Sequence, residues 1–245
     1  MVLMKAYQNV FRRVERKYIL DEEKYRGICS YLDKYFLKDR YFQSTICNIY
    51  YDTPDRQLVR SSLEKPVYKE KLRLRSYGVP DDDTKVFLEL KKKYKGVVYK
   101  RRTDMTVSRA VDFIDGKIFP DNDSQIEREI KYFLDFYGEI EPAMFLSCDR
   151  KAYYSAEDPD FRLTFDENIT YRTEDIDLRS GVYGKKLLNG GEHIMELKIP
   201  NAMPVWFAHI LTELCIYPGS FSKYGSAYER EFLNYINPER TNCYA

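Results

Sequence analysis

Histidine is nearly absent from this chain. There are two, His193 and His209, so a multi-histidine metal centre cannot be built and a Ser-His triad is not expected. Neither G-x-S-x-G nor the phosphate-loop pattern G-x-x-x-x-G-K-[ST] occurs. The cysteines (Cys29, Cys47, Cys148, Cys215 and Cys243) are odd in number and widely spaced, with no C-x-x-C. A disulfide framework or zinc site is therefore not expected, and a reducing cytoplasm is the default location. No apolar run reaches the length of a membrane span, and the opening "MVLMKAYQNVFRR" lacks the apolar stretch of a signal peptide. Neither sign of charge dominates: Lys and Arg total 40, Asp and Glu 39. No global field attracts nucleic acid or an anionic membrane, so any anion site must come from local segregation of charge.

What the chain does have is tyrosine, 23 in 245 residues, together with strand-like alternation. Eight stretches alternate with period two and carry β-branched or aromatic residues: about 11–19, 44–51, 67–77, 85–95, 97–107, 143–154, 161–172 and 192–199. Lys95-Gly96 reads as a hairpin turn with Gly96 at positive φ, and 78–85 as a turn rich in Asp, Pro and Gly. Four helices are expected, at 22–37, 124–137, 203–216 and 224–236. Ser124 and Glu127 form a capping box for the second, and Pro204 stands in the first turn of the third. With no repeat and no long linker, residues 1–245 read as a single α+β domain dominated by antiparallel strands. Eight strands are about the number at which a sheet can close on itself.

The alternation segregates charge. Lys69, Lys71, Arg73 and Arg75 share one face of their strand, opposite Leu72 and Leu74. The same reading puts Arg13, Lys17, Lys91, Lys100, Arg102, Arg150, Arg162 and Lys198 on the faces turned away from the apolar residues, with Glu15, Glu89, Glu196 and Asp166 as the acids among them. Solvated faces normally mix signs, because like charges directly opposite destabilise a sheet. A set this biased, in a chain with balanced totals, suits a closed lumen that holds a polyanion. Enclosing the cations without partners would cost several kcal/mol per ion, and Arg and Lys both suit phosphate. The glutamates have two readings, as ion-pair partners of the lining or as holders of a divalent cation against phosphate oxygens.

Several stretches in order carry a resemblance: the Arg13-x-Glu15-x-Lys17 strand, "NIYYDTPD" (48–55), "KLRLRSY" (71–77), "LELKKK" (88–93), "DRKAY" (149–153), "RLTFDE" (162–167), "MELK" (195–198) and "FSKYGSA" (221–227). Over nearly the whole chain they resemble the catalytic domain of VTC polyphosphate polymerases, within the CYTH, or triphosphate tunnel metalloenzyme, superfamily. The resemblance implies a closed eight-stranded antiparallel β-barrel with helices packed outside. It implies transfer of the γ-phosphoryl of ATP to a growing polyphosphate chain inside a basic tunnel, with release of ADP. It implies Lys17, Arg73, Arg75, Lys91, Arg150 and Arg162 as the catalytic set. Substrate binding falls to Arg13, Lys71, Lys100, Arg102, Lys198, Ser222 and Lys223. Glu196 is the implied holder of Mn²⁺ or Mg²⁺; Glu15 and Glu89 stay candidates for the same metal from the strand alternation, with the ion-pair role open to them equally. Some relatives carry a basic residue where this chain has Ser220, a departure that Lys185 or Lys186 could offset. ATP and inorganic polyphosphate are the implied partners, with no nucleic acid. The sequence carries no membrane segment and no inositol-phosphate-sensing module, so it is expected to be a stand-alone cytoplasmic catalytic domain, with room for a separate membrane partner. A hydrolase of the same fold and a non-catalytic polyphosphate or inositol-phosphate binder are the rival readings.

Overall fold

The computed structural model describes residues 14–95, 97–121, 124–200 and 202–233. In chain order the elements are β1 (Val14–Leu20), α1 (Glu22–Tyr35), β2 (Phe36–Asp52), α2 (Gln57–Leu63), β3 (Tyr68–Tyr77), β4 (Lys85–Tyr94), β5 (Val97–Thr106), α3 (Val107–Ile114), α4 (Gln125–Tyr137), β6 (Glu141–Ser155), β7 (Arg162–Arg172), β8 (Lys185–Lys186), β9 (His193–Ile199), α5 (Val205–Glu213) and α6 (Lys223–Tyr228), followed by a π-helical turn, Glu229–Leu233. The fold is α+β, and every strand pair whose register is resolved is antiparallel.

Two compact units divide the chain. The first comprises Met1–Gln43, Arg150–Glu167 and Asn189–Phe221, and the second Ser44–Asp149, Asn168–Leu188 and Ser222–Ala245. The long strands β2, β6 and β7 contribute residues to both. In the first unit the strand order is β1-β9-β7-β6-β2, and in the second β7-β6-β2-β3-β4-β5, with β8 on β7. Eight of the nine strands lie on the path from β1 to β5, and the ninth, β8, pairs off it on β7.

Each unit has its own apolar core on the uncharged side of its strands. In the second, Leu72, Leu74, Val86, Leu88, Leu90 and Met105 pack with Phe113 of α3 and Ile130 and Phe133 of α4. In the first, Tyr18, Leu163, Phe165, Met195 and Leu197 pack with Ile28 and Leu32 of α1 and Phe207 and Ile210 of α5. Burying one such leucine or phenylalanine contributes about 1.5–3 kcal/mol, which determines which strand face turns to the helices.

Local chemistry sets the boundaries. Asp21 caps α1 by accepting from the Lys24 N–H at 2.8 Å, and the helix ends at Tyr35 because Phe36 is already extended. The expected helix 22–37 thus gives its last two residues to β2, whose charged first half, 36–43, hides its alternation. Ser124 caps α4 as expected, accepting from the Glu127 N–H. The Glu127 carboxylate, however, accepts from the Asp121 N–H and Arg109 instead of closing the capping box. Pro204 is the N-cap of α5, one position before its first turn. Lys95 has φ of 46° in the turn between the paired Tyr94 and Val97, as primed hairpin turns require. Gly96, expected at that position, lies outside the described residues, as do the first residues of the expected 11–19 strand and the end of the 224–236 helix. The short helices α2 and α3 were not anticipated. No helix among the described residues is long and apolar enough to cross a membrane.

Candidate functional site

In the second unit the register stacks charge into rungs across β3, β4 and β5. One rung is Lys71–Lys91–Lys100, the next Arg73–Glu89–Arg102, and the third Arg75–Phe87–Asp104. Because alternate residues share a face, all of these stand opposite the leucine core. The first rung sets three lysines side by side, a local concentration of positive charge.

Glu89 organises the middle rung and is only 1 % exposed. Its Oε2 accepts from Arg73 Nε at 2.7 Å and lies 3.8 Å from Arg75 Nε. Its Oε1 accepts from Arg102 Nε at 2.6 Å and pairs with Lys100 Nζ at 2.7 Å. Burial alone would raise its pKa, but Arg73, Arg75 and Lys100 outweigh that and hold the carboxyl well below the usual range. Arg102 also lies over the Phe87 ring, 4.2 Å from its centroid.

Neighbouring elements fix the rest of the face. Asn48 and Tyr50 of β2 stand opposite Arg75 and Arg73. Asn48 Oδ1 accepts from Arg75 Nε at 2.9 Å, while its Nδ2 donates to the Leu146 carbonyl at 3.1 Å. The Tyr50 hydroxyl accepts from Arg73 Nη1 at 3.3 Å. Lys71 Nζ donates to Ser222 Oγ at 3.0 Å, and the same hydroxyl caps α6 through the Gly225 N–H. Lys223 is the first residue of α6.

The first unit mixes signs. Across β1, β9 and β7, one rung is Glu15–Lys198–Arg162 and the next Lys17–Glu196–Thr164. Lys17 Nζ donates to the Phe221 carbonyl at 2.8 Å. Arg150 makes a two-pronged pair with Asp166, at 2.6 and 2.7 Å, and Asp166 is fully buried. Arg162 lies 3.8 Å from Asp39. Thr164 is buried, and its hydroxyl has no hydrogen-bond partner among the described residues. It stands directly opposite Glu196.

The expected residues therefore fall into two groups. Lys71, Arg73, Arg75, Glu89, Lys91, Lys100, Arg102, Ser222 and Lys223 belong to the second unit. Glu15, Lys17, Arg150, Arg162, Glu196 and Lys198 belong to the first. Arg13 lies outside the described residues. The cationic bias read from the sequence is concentrated in the second unit, because three of the four acids on those faces sit in the first. Asn48, Tyr50, Phe87 and Tyr224 were not singled out. The signal for Asn48 and Tyr50 was the same period-two reading, applied to "NIYYDTPD". Among the described residues no group of three or more His, Cys, Asp or Glu stands together as a metal centre.

A candidate adenylate cyclase from Bacillus halodurans has this fold, with a TM-score of 0.55 and 16% identity over 90% of this chain and 97% of that one. A candidate adenylate cyclase from Vibrio parahaemolyticus (TM-score 0.48, 14% identity, 90% and 99% covered) is also similar. So is a candidate adenylyl cyclase from Hippeastrum described by its dominant triphosphatase activity (TM-score 0.48, 18% identity, 89% and 95% covered). No curated protein matches the chain. The VTC domain family does match, over residues 12–232, and the chain belongs to that family.

Proposed function

We propose that this protein is a polyphosphate polymerase of the triphosphate tunnel type, which moves the γ-phosphoryl of ATP to the end of a polyphosphate chain and releases ADP. The observation that carries the reading is the Lys71–Lys91–Lys100 rung beside a single carboxylate that holds Arg73, Arg75, Lys100 and Arg102. Phosphoryl transfer needs little covalent chemistry from the protein; it needs positioning and neutralisation of charge. Arg73 and Arg75 would clamp the triphosphate, while Lys91, Lys100 and Lys71 screen the repulsion between donor and chain end. Lys17, Arg150 and Arg162 are the proposed phosphate ligands of the first unit by itself, and Ser222 and Lys223 of the second would contact the chain. The closed tunnel implied by the resemblance is part of this proposal.

The glutamates take different roles in it. Both oxygens of Glu89 pair with cations, which suits a counter-ion. Glu196 fits one, because the orphaned Thr164 hydroxyl opposite it adds an oxygen to a site that substrate phosphates would complete. A Mg²⁺ or Mn²⁺ ion held there would neutralise charge on the transferring phosphoryl group.

The test is to incubate the purified protein with ATP and Mn²⁺ and to assay polyphosphate, ADP and free phosphate. Long chains with ADP support the polymerase. Free phosphate without chains replaces it with a hydrolase, and no turnover leaves a polyphosphate binder.

A further inference from the structure

Arg73 is gripped from two sides. Glu89 takes its Nε, at 2.7 Å, and its Nη2, while Nη1 donates to the Tyr50 hydroxyl at 3.3 Å. A guanidinium has five N–H donors. These contacts occupy one on each nitrogen, leaving one on Nη1 and one on Nη2. With the phenol on the outer Nη1 proton, the remaining Nη1–H and Nη2–H are the parallel pair that takes a phosphate bidentately.

Tyr50 is itself held. It is buried, and its ring stacks on Tyr224 with centroids 4.7 Å apart. The Tyr224 hydroxyl donates to Asp52 at 2.8 Å, and Asp52 accepts from the Leu58 and Val59 N–H groups of α2. The phenol is thus tied through two side chains to helix backbone. Packing alone would be served by a phenylalanine; the hydroxyl has its own partner in Arg73.

We infer that Tyr50 is a positioning residue for anion binding: its neutral hydroxyl fixes Arg73 with the free fork toward a phosphate, and its phenolate competes with that phosphate. The inference rests on the proposed phosphate-binding role of the Arg73 face. The charged and titratable groups around the phenol are Arg73, Lys71 and Arg75 on β3, Glu89 on β4, Lys100 and Arg102 on β5, Asp52 on its own strand, and Tyr224 of α6. Burial by itself would raise the Tyr50 pKa, but Arg73 and Lys71, with the Arg73 hydrogen bond and Arg75, bring it down to about 8. Above that pH the phenolate satisfies Arg73 internally and repels an incoming anion. By reciprocity, a bound anion must push the ionisation of Tyr50 upward. Lys100 is brought down to about 8 as well, chiefly by burial. Its side chain is still 42% exposed, so burial acts on it less fully than on Tyr50. Its titration is common to wild type and to a Tyr50 variant, and the comparison removes it.

The experiment is calorimetric titration of inorganic tripolyphosphate into the full chain at pH 7 and pH 9, wild type against Tyr50→Phe. It is paired with the ultraviolet phenolate difference spectrum between the two proteins. At pH 7 the variant should bind roughly 3- to 10-fold more weakly, less than the roughly tenfold or more that a hydrogen bond to a charged group is worth, because the lost bond positions Arg73 and does not touch the ligand. Between pH 7 and 9 wild type should lose about tenfold more affinity than the variant, as follows from one group ionising a pH unit below the upper limit and excluding the ligand when ionised. Saturating tripolyphosphate should move the wild-type phenolate step to higher pH. If Tyr50→Phe does not fold, the same shift is read in Tyr77→Phe, which removes the other tyrosine whose pKa this cationic face lowers. Equal affinities with equal pH profiles, or no phenolate step near pH 8, overturn the role of Tyr50. Failure of wild type to bind tripolyphosphate at pH 7 overturns the phosphate-binding reading, and Tyr50 with it.

Discussion

Glu89→Gln is the perturbation that tests the cationic face most directly. The carboxylate is buried and pairs with Arg73, Arg75, Lys100 and Arg102. Removing one partner of a buried pair costs about 3–5 kcal/mol, because charge is left uncompensated. Here the side chains of Arg73, Lys100 and Arg102 keep 21, 42 and 34% exposure, so water screens part of the loss and the lower end, about 3 kcal/mol, is expected. For a chain of this size that lowers Tm by roughly 6–12 °C. The folded pKa of Glu89 is depressed, so its stabilisation is complete above the ordinary glutamate value near 4.3 and is lost as pH falls through the lower folded value. The gap between wild type and variant should therefore stay flat from about pH 5 to pH 8 and close only in acid. Tripolyphosphate should bind the variant more tightly than wild type, since no carboxylate competes for the four cations. At about a hundred times Kd it restores about 2.7 kcal/mol, most of the deficit. The assay is thermal melting with and without tripolyphosphate. A variant that melts with wild type, or gains no more from the anion than wild type does, would refute the counter-ion argument.

Other substitutions separate the remaining roles. Glu196→Gln should abolish metal-dependent turnover while ATP still binds by calorimetry; surviving turnover would remove the metal assignment. Asp166→Asn leaves Arg150 without its buried counter-ion and should cost about 3 kcal/mol or more in urea unfolding, with an unchanged midpoint counting against the pair. Ser222→Ala removes both a helix cap and the acceptor of Lys71. About 1 kcal/mol of stability should go, together with polyphosphate affinity, and loss of stability alone would limit Ser222 to capping.

Much of the charged face was legible because strand alternation is a property of adjacent residues. Lys71, Arg73 and Arg75 had to share a face, and the leucines between them had to take the other. The expectations failed where local pattern is weak. The first half of β2 carries charge on both faces, and α2 and α3 are short. The Glu127 carboxylate could choose among Arg109, the Asp121 N–H and its own cap only once distant segments were in place.

Periodicity along the chain is enough to assign each strand its charged and apolar sides, since the pleat turns every second side chain the same way whatever the partner strand. Which charges meet is another matter, because pairing depends on register between segments far apart in sequence. Only folding sets Lys71 beside Lys91 and Lys100, gathers four cations on Glu89, stands Thr164 across from Glu196, and leaves the acids Glu15, Glu196 and Asp166 in one unit while the surplus of positive charge collects in the other.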